Sequence, residues 1–269
     1  MTHSRPRILE LLDERHLSPR RDLGQNFVAD ANTVRRIAHL ARVGPGDRVV
    51  EIGAGLGSLT LALAETRADV LAVEVDRGLA AALRTIVAEH PNVRVIEADA
   101  MTLDWDSVIG PDPVVLVANL PYNVATPLVA DVLDGVGRVE RLLVMVQREV
   151  AERFAAAPRT AAYGAVSVKI AYWASARIVG FVPASVFVPR PNVESAIVEI
   201  VRHEPPATDP TLLFTLVRTA FNQRRKMLRR SLSEVVTPAQ FAVAGIEPTA
   251  RPEELDVTAW CALAEAVAA

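Results

Sequence analysis

The sequence has a single cysteine, few aromatic residues and no long apolar run. Because Cys261 is the only cysteine, no disulfide can form within the chain, and a small disulfide-stapled scaffold is excluded. No stretch of about 18 uncharged apolar residues is present, as a membrane-spanning helix would require. The first residues mix arginines with Glu10, Asp13 and Glu14 and lack the apolar block of a signal peptide. We therefore expect a cytoplasmic protein without membrane attachment.

The length and hydrophobic content are those of an ordinary globular chain. With 269 residues, 51% of them hydrophobic, the chain can form one large domain or two unequal ones and is too apolar to be disordered. It carries 29 basic and 32 acidic side chains, a formal net charge of −3. All but two of the basic residues are arginine, which suits bidentate phosphate contacts, although codon bias explains the same excess.

The positive charge is concentrated in one short segment. Six basic residues and no acidic one lie between Arg218 and Arg230, so these 13 positions carry +6 against −9 for the remaining 256. Such a local field acts within a Debye length of about 8 Å and attracts polyanions even in an acidic chain. The alternative is a solvated helix face without a partner.

Short apolar runs alternate with helical patterns through the first two-thirds of the sequence. Near-continuous apolar strands are typical of a parallel sheet that is buried on both faces. The predicted strands are 48–52, 69–75, 93–97, 114–118 and 142–146, and the predicted helices between them are 58–66, 77–90 and 126–133. Two later runs, 176–182 and 193–202, are joined by a Pro-rich connection too short for a crossover helix, so we expect an antiparallel pair. The predicted fold class is α/β, a Rossmann-like, doubly wound, mostly parallel sheet with an antiparallel strand.

The composition changes after residue 202. Residues 203–210 have the composition of a linker, and the patterns beyond it are helical over 211–221, 224–235, 238–244 and 257–268. We therefore predict a basic N-terminal arm over 1–22, the α/β domain over 23–204 and a small all-helical C-terminal domain over 208–269.

Three consecutive strand ends carry residues suited to binding an adenosine. The first strand runs into a glycine turn with Gly53 and Gly55, which lets the backbone approach a flat ligand. Glu74 ends the second strand, where a carboxylate accepts hydrogen bonds from ribose hydroxyls, and Asp99 ends the third, where it accepts from an adenine amino group. A turn without any ligand is the alternative for the glycines alone. The pocket by itself leaves open whether the adenosine belongs to NAD or to S-adenosylmethionine.

The fourth strand ends in Asn119-Leu120-Pro121-Tyr122-Asn123-Val124-Ala125-Thr126-Pro127, which resembles the Asn/Asp-Pro-Pro-Tyr-type motif of class I adenine-N6 methyltransferases. An aromatic amino nitrogen is a poor nucleophile because its lone pair is delocalised into the ring. The Asn119 side-chain oxygen and the Leu120 carbonyl can accept its two N–H bonds and localise that lone pair, while Tyr122 offers a ring on which a flipped base stacks. Phe187, on a proline-stiffened connection, is a candidate for the opposite face of the base, and a core position is its alternative.

Further motifs extend the resemblance, over about residues 20–256, to the KsgA (RsmA) family of ribosomal RNA small-subunit dimethyladenosine transferases. These motifs lie at 23–28, 51–57, 119–127, 145–153, 187–196, 221–229 and 251–255. The resemblance implies a class I fold that uses S-adenosylmethionine and no metal, with the cofactor contacting Asn26, Val28, Gly53, Glu74, Asp99 and Asn119 beside Gly55 of the loop. It implies transfer of two methyl groups to each of two adjacent adenosines near the 3′ end of 16S rRNA in the small ribosomal subunit. The sequence departs from the family pattern at Ala54, Val28 and Arg159, where Pro, Leu and Gly are common.

Basic residues at two places are predicted to hold RNA phosphates. They are Arg20 and Arg21 in the arm, and Arg224, Arg225, Lys226, Arg229 and Arg230 in the helical domain. If both groups face the active-site mouth, they form a phosphate-binding rim, and affinity falls steeply with salt. We expect a monomer. Three alternatives remain open: a resistance-type large-subunit rRNA methyltransferase, a nicotinamide-dependent oxidoreductase and a non-catalytic assembly factor.

Overall fold

The computed structural model of the chain describes residues 2–20, 22–121 and 123–269. Its residues form two compact units, Met1–Ala151 with Arg177–Arg202, and Glu152–Ala176 with His203–Ala269. No helix in this described part of the chain is both long and apolar enough to cross a membrane.

The bounds of the elements are as follows. The strands are β1 (Phe27–Val28), β2 (Arg48–Ile52), β3 (Asp69–Glu74), β4 (Val93–Glu97), β5 (Val114–Asn119), β6 (Val139–Gln147), β7 (Ala174–Val182), β8 (Phe187–Val188) and β9 (Ser195–Arg202). The α-helices are α1 (Arg5–Glu14), α2 (Ala31–Ala41), α3 (Ser58–Ala64), α4 (Arg77–Ile86), α5 (Trp105–Ile109), α6 (Ala125–Gly135), α7 (Arg148–Phe154), α8 (Ala165–Trp173), α9 (Pro210–Phe221), α10 (Leu228–Ser231), α11 (Pro238–Val243) and α12 (Val257–Ala268).

The main sheet has seven strands in the order β4-β3-β2-β5-β6-β9-β7. The pairs β4-β3, β3-β2, β2-β5 and β5-β6 are parallel, and β9 runs antiparallel to β6. The predicted fold class is confirmed. A two-stranded antiparallel ribbon of β1 and β8, which the sequence patterns do not predict, lies beside it.

Helices cover the sheet because its strands are apolar on both faces. On one side, α2 and α3 bury Ile37 and Leu63 against sheet residues such as Val70. In another cluster, Leu83 of α4 packs with Ala72 of β3. Each such burial contributes about 1.5–3 kcal/mol before entropy is counted, so the sheet is a stable support for the loops at its edge.

The predicted N-terminal arm is instead part of the first unit. Its helix α1 buries Ile8, Leu11 and Leu12 in a cluster with Phe27 and Leu56. The apolar face of α1 has the spacing of an amphipathic helix, so it docks on the unit and does not extend from it.

The predicted start of the helical domain also differs from the structure, because the second unit includes Glu152–Ala176 as well as the C-terminal helices. Tyr163 and Tyr172 are buried in one cluster with Trp260. The Tyr163 hydroxyl donates a hydrogen bond to the carbonyl of Leu255 at 2.9 Å. Tyr163 packs edge-on against Phe221, and Tyr172 packs against Phe214, so these aromatic side chains complete the core of the C-terminal helices.

The helix predicted over 224–235 is wrong, although those predicted at 211–221, 238–244 and 257–268 are present as α9, α11 and α12. Residues 222–226 form turns and α10 covers four residues only. The N–H groups of Leu228 and Arg229 donate to the carbonyls of Ala250 and Pro248 at 2.8 and 3.0 Å. These bonds replace the intrahelical bonds that a continuous helix would need.

The carboxylate of Glu199 on β9 is 97% buried and is surrounded by arginines of the first unit. The Nε of Arg177 donates to its Oε2 at 2.8 Å, the Nη1 of Arg141 lies 3.6 Å from its Oε1, and Arg42 also donates to Oε1. A buried carboxylate is tolerated when it is paired and hydrogen-bonded in this way.

We expect Glu199→Gln to lower the free energy of unfolding by about 2–3 kcal/mol, because it removes the carboxylate that lies 3.6 Å from the largely buried Arg141. This is below the cost for a fully buried pair, since Arg42 and Arg177 are mostly exposed. Urea denaturation measures the loss. Asp106→Asn breaks an exposed pair with Arg138 and serves as the control, with a change below about 1 kcal/mol. Equal small losses in both variants would contradict the role of Glu199.

Candidate active site

A pocket in the first unit lies at the carboxyl edge of the sheet. It is lined by residues 23–28, the glycine turn after β2, Glu74 with Val75 after β3, residues 119–121 after β5, and Phe187 of β8. Adjacent parallel strands end at this edge, so residues far apart in sequence meet there.

The glycine turn requires glycine for two reasons. Gly53 and Gly55 have φ angles of +72° and +58°, a conformation that other residues adopt at a cost. A Cβ atom at Gly55 would also lie 3.1 Å from the ring of Phe27. The N–H of Gly53 donates to the carbonyl of Val73 at 2.9 Å, which ties the turn to the neighbouring strand β3. The turn is therefore a fixed concave surface on the pocket floor.

Glu74 at the end of β3 stabilises this turn. Its Oε2 accepts a hydrogen bond from the Gly55 N–H at 2.7 Å, and its Oε1 accepts from the Asp76 N–H at 2.9 Å. Burial raises the pKa of Glu74, and these two N–H groups oppose that rise. Each oxygen keeps a further acceptor site, because a carboxylate has about four. The predicted contact with ribose hydroxyls is compatible with this arrangement.

Glu51, which is not among the predicted site residues, also lines the pocket. It is 1% exposed, and its pKa is raised to about 8, mainly by burial; the Thr60 side chain opposes the rise and the nearby Glu74 carboxylate adds to it. Among the described residues, neither Glu51 Oε2 nor the buried Oγ of Ser58 has a hydrogen-bond partner. An acidic residue inside an otherwise apolar strand, two positions before the glycine turn, is the signal that could have identified it.

The turn that follows β5, residues 119–121, is termed the reactive turn and is tied to the N-terminal segment of the pocket. The Nδ2 of Asn119 donates to the backbone carbonyl of Asn26 at 3.0 Å, and the Nδ2 of Asn26 donates to the carbonyl of Gly24 at 2.9 Å. A Cβ at Gly24 would lie 3.0 Å from the Cβ of Pro121, so the two segments are in close contact. Leu120 is buried, and its N–H donates to the carbonyl of Met145 at 3.0 Å. Tyr122 lies outside the described residues.

Of the other predicted cofactor and base contacts, Val28 and Phe187 line the pocket and Asp99 does not. Val28 is buried and lines the pocket, and it pairs in register with Phe187. Phe187 lines the pocket from the core with 1% of its surface exposed. Asp99 is exposed, accepts a hydrogen bond from the Met101 N–H at 2.9 Å, and is not one of the residues that line the described pocket.

The predicted RNA contacts in the N-terminal segment are partly occupied by internal partners. Arg20 donates to Asp22 at 2.7 Å and lies 3.8 Å from Asp76. Arg21 lies outside the described residues. The exposed ion pairs of Arg20 are weak, so it can exchange them for a phosphate at little cost.

The predicted contacts in the second unit are mostly exposed. Arg224 is half-buried and donates to the carbonyl of Ala161 at 3.1 Å, with Glu253 at 3.9 Å. The remaining basic residues of the segment are exposed: Arg225, Lys226, Arg229 and Arg230. Arg159, at a position where the family favours Gly, has a φ angle of +68°, and its N–H donates to the carbonyl of Glu253 at 2.8 Å.

The sheet order with its antiparallel strand β9, the glycine turn and the acidic strand end fit the class I methyltransferase fold. The comparisons with known proteins agree with this class and identify the methyl donor as S-adenosylmethionine. A family model described as ribosomal RNA adenine dimethylase matches residues 16–269. The chain belongs to the ribosomal RNA adenine dimethylase family.

Among its relatives, the chain is 46% identical to ribosomal RNA small subunit methyltransferase A of Cutibacterium acnes, over 97% of this chain and 93% of that protein. It is 47% identical to the Streptomyces griseus protein of the same name, over 92% and 89%. Among solved structures it is similar to the 23S rRNA methyltransferase ErmE, with a TM-score of 0.69 at 28% identity over 90% of this chain and all of that one. A dimethyladenosine transferase from Plasmodium falciparum shares the fold, with a TM-score of 0.75 at 22% identity over 87% and 94%.

The buried carboxyl group of Glu51 makes stability depend on pH. The unfolded chain ionises this group near 4.5, whereas the fold keeps it protonated to about pH 8, so its stabilising contribution is full below 4.5 and is lost as pH rises toward 8. We expect the free energy of unfolding of the wild type to fall with pH by up to about 1.4 kcal/mol per unit relative to Glu51→Gln. Denaturation of the donor-free proteins between pH 5 and 8 measures this difference. The exposed Glu89→Gln control should track the wild type, and a parallel profile for Glu51→Gln would contradict the assignment.

Proposed function

We propose that the chain transfers methyl groups from S-adenosylmethionine to N6 of two adjacent adenosines near the 3′ end of 16S rRNA, in the assembling small ribosomal subunit, and forms N6,N6-dimethyladenosines. The orientation of the Asn119 amide carries this proposal, because its donor end is held by Asn26 at the edge of the pocket. Two relatives at 46% and 47% identity are named small-subunit methyltransferases, whereas ErmE, named for 23S rRNA, is 28% identical.

The pocket residues fit a cationic donor. Glu74 can accept further hydrogen bonds from ribose hydroxyls. Glu51 Oε2 and Ser58 Oγ are buried and have no hydrogen-bond partner among the described residues, so a bound ligand could supply one. When bound, S-adenosylmethionine supplies a methyl group on a positively charged sulfur. Two carboxyl groups beside the turn favour a cation over a neutral or anionic ligand. The Gly53–Gly57 turn gives the close backbone approach that the donor needs.

The reactive turn orients the target amino group. Asn119 Oδ1 and the Leu120 carbonyl accept its two N–H bonds, which localises the nitrogen lone pair and directs it along the remaining axis, toward the donor. No strong base is needed, because transfer to nitrogen produces an acidic ammonium whose proton leaves to solvent. Positioning and electrostatics therefore account for catalysis.

The remaining roles are those that the resemblance to the family implies. Tyr122 stacks on the extruded base, and Phe187 closes the pocket behind it from the core. Residues 208–269, with the segment before them in the second unit, form an RNA-binding domain through the exposed Arg225, Lys226, Arg229 and Arg230. The protein acts as a cytoplasmic monomer, because a chain that docks on a ribosomal particle already has its binding partner.

We expect Asn119→Ala to reduce methyl transfer by at least about 100-fold, since it removes one acceptor that orients the amino group. The dissociation constant for S-adenosylmethionine should rise only severalfold, because the donor is held mainly by the glycine turn and Glu74. Radiolabelled transfer to unmethylated small subunits measures the first quantity, and calorimetric titration measures the second.

Asn32→Ala, which removes an exposed amide from α2, is the matched control and should keep full activity. Unchanged turnover in Asn119→Ala would remove this residue from the mechanism. Primer extension on the product RNA locates the methylation, because a dimethylated N6 blocks base pairing. With large-subunit RNA offered as a second substrate, a stop in that RNA would support the ErmE-type alternative, and donor binding without any transfer would support the assembly-factor alternative.

A second prediction concerns the salt dependence of RNA binding by the second unit. Replacing both Arg225 and Lys226 by Gln should weaken binding to small subunits and make the plot of log affinity against log salt shallower by about 1.4–1.8, since two phosphate contacts are lost. The control, with Arg84 and Arg94 both replaced by Gln, changes the net charge equally at exposed positions of the first unit. Identical salt slopes for the two double variants would refute the proposed contacts. Donor affinity should be unchanged in both.

A further inference from the structure

One phenylalanine side chain stands apart from the others. Phe181, near the end of β7, is 53% exposed, whereas the remaining phenylalanines of the described chain are buried or half-buried. Exposing a large ring has no folding benefit, and β7 is the outer strand of the sheet, which has no neighbouring strand on that side.

The ring is paired with a cation that is itself held in place. The Cζ of Arg148 lies 5.2 Å from the centroid of the Phe181 ring. The Nη1 of Arg148 is 3.2 Å from Oε2 of Glu194, and the Arg148 N–H donates to the Glu194 carbonyl at 3.0 Å. The guanidinium and ring thus form one small continuous surface, and about half of the Arg148 side chain remains exposed.

This surface lies at the same edge of the sheet as the reactive turn. Arg148 directly follows β6, whose last residue Gln147 pairs with Ser195, the first residue of β9. On the other side of β6, Asn119 pairs with Met145. With strands spaced about 4.8 Å apart, β7 lies about 14 Å from β5, which is close enough for a strand of RNA that enters the pocket to pass over both.

The chemistry selects a nucleobase over a phosphate. Glu194 neutralises Arg148 and would repel a phosphate, while an exposed ring flanked by a planar guanidinium offers two flat faces to a base. We infer that Phe181 and Arg148 form a stacking platform for an unpaired base of the RNA, one to a few nucleotides from the adenosine held at Asn119. This inference rests on the proposed function and adds a second contact through which the first unit recognises its substrate.

The test compares Phe181→Ser with Phe181→Tyr in methyl transfer to unmethylated small subunits. Loss of one base stack should raise KM for the particle about 10-fold in Phe181→Ser, with the donor dissociation constant unchanged, and Phe181→Tyr should restore the wild-type KM. Leu9→Ser, which removes an equally exposed apolar side chain from α1, is the control. An unchanged KM in Phe181→Ser, with an active wild type, overturns the platform. An inactive wild type would refute the proposed function instead.

Photo-crosslinking identifies the occupant directly. With p-benzoylphenylalanine in place of Phe181, the crosslink to 16S rRNA should map within a few nucleotides of the methylated adenosines. A crosslink to a ribosomal protein, or to RNA remote from those adenosines, overturns the inference.

Discussion

The hydrogen bond from Asn119 to the backbone carbonyl of Asn26 is the constraint on which the active site depends. An amide has a donor end and an acceptor end, and the donor end is engaged here at 3.0 Å. Under the proposed function, the acceptor end is therefore the one offered to the target amino group, which carries two N–H donors. With the amide reversed, a donor of Asn119 would face those donors and the proposed contact could not form. Because Asn26 is itself held by Gly24, the orientation is set by a segment 93 residues away in sequence.

Two buried glutamates differ in their hydrogen bonding, and under the proposed function this difference suits the pocket to a cationic donor. Both oxygens of Glu74 accept backbone N–H groups, so this carboxylate mainly holds the glycine turn in shape. Glu51 lies beside it with one oxygen that meets no donor from the described residues, and burial keeps it protonated near neutral pH. A positive ligand between the two favours the ionised form of each. The strand and the turn are therefore stable without a ligand, yet still complementary to a charged one.

The main-sheet strands and the residues at which they end were predicted well from the sequence, because near-continuous apolar runs and glycine turns are local signals. The pocket followed from the rule that parallel strands end at one edge. Three features were not accessible in this way. The segment Glu152–Ala176 belongs to the second unit because Tyr163 and Tyr172 pack against residues that are far away in the sequence. The break in the helix at 224–235 depends on acceptors near residue 250, and the ribbon of β1 and β8 depends on pairing between distant dipeptides. Helical spacing alone reports none of these contacts.

The distribution of arginines explains how an acidic chain holds RNA. In the first unit, Arg5 donates to the carbonyl of Phe187 and Arg7 is paired with Glu10 and Glu14, so these guanidinium groups have internal roles. In the second unit, the buried Leu228 anchors a short segment whose flanking basic side chains are exposed. Under the proposed function, non-specific attraction to phosphate therefore comes mainly from the second unit. Recognition of the substrate then belongs to the ring faces and main-chain acceptors of the first unit, which distinguish an unpaired adenine from the backbone that carries it.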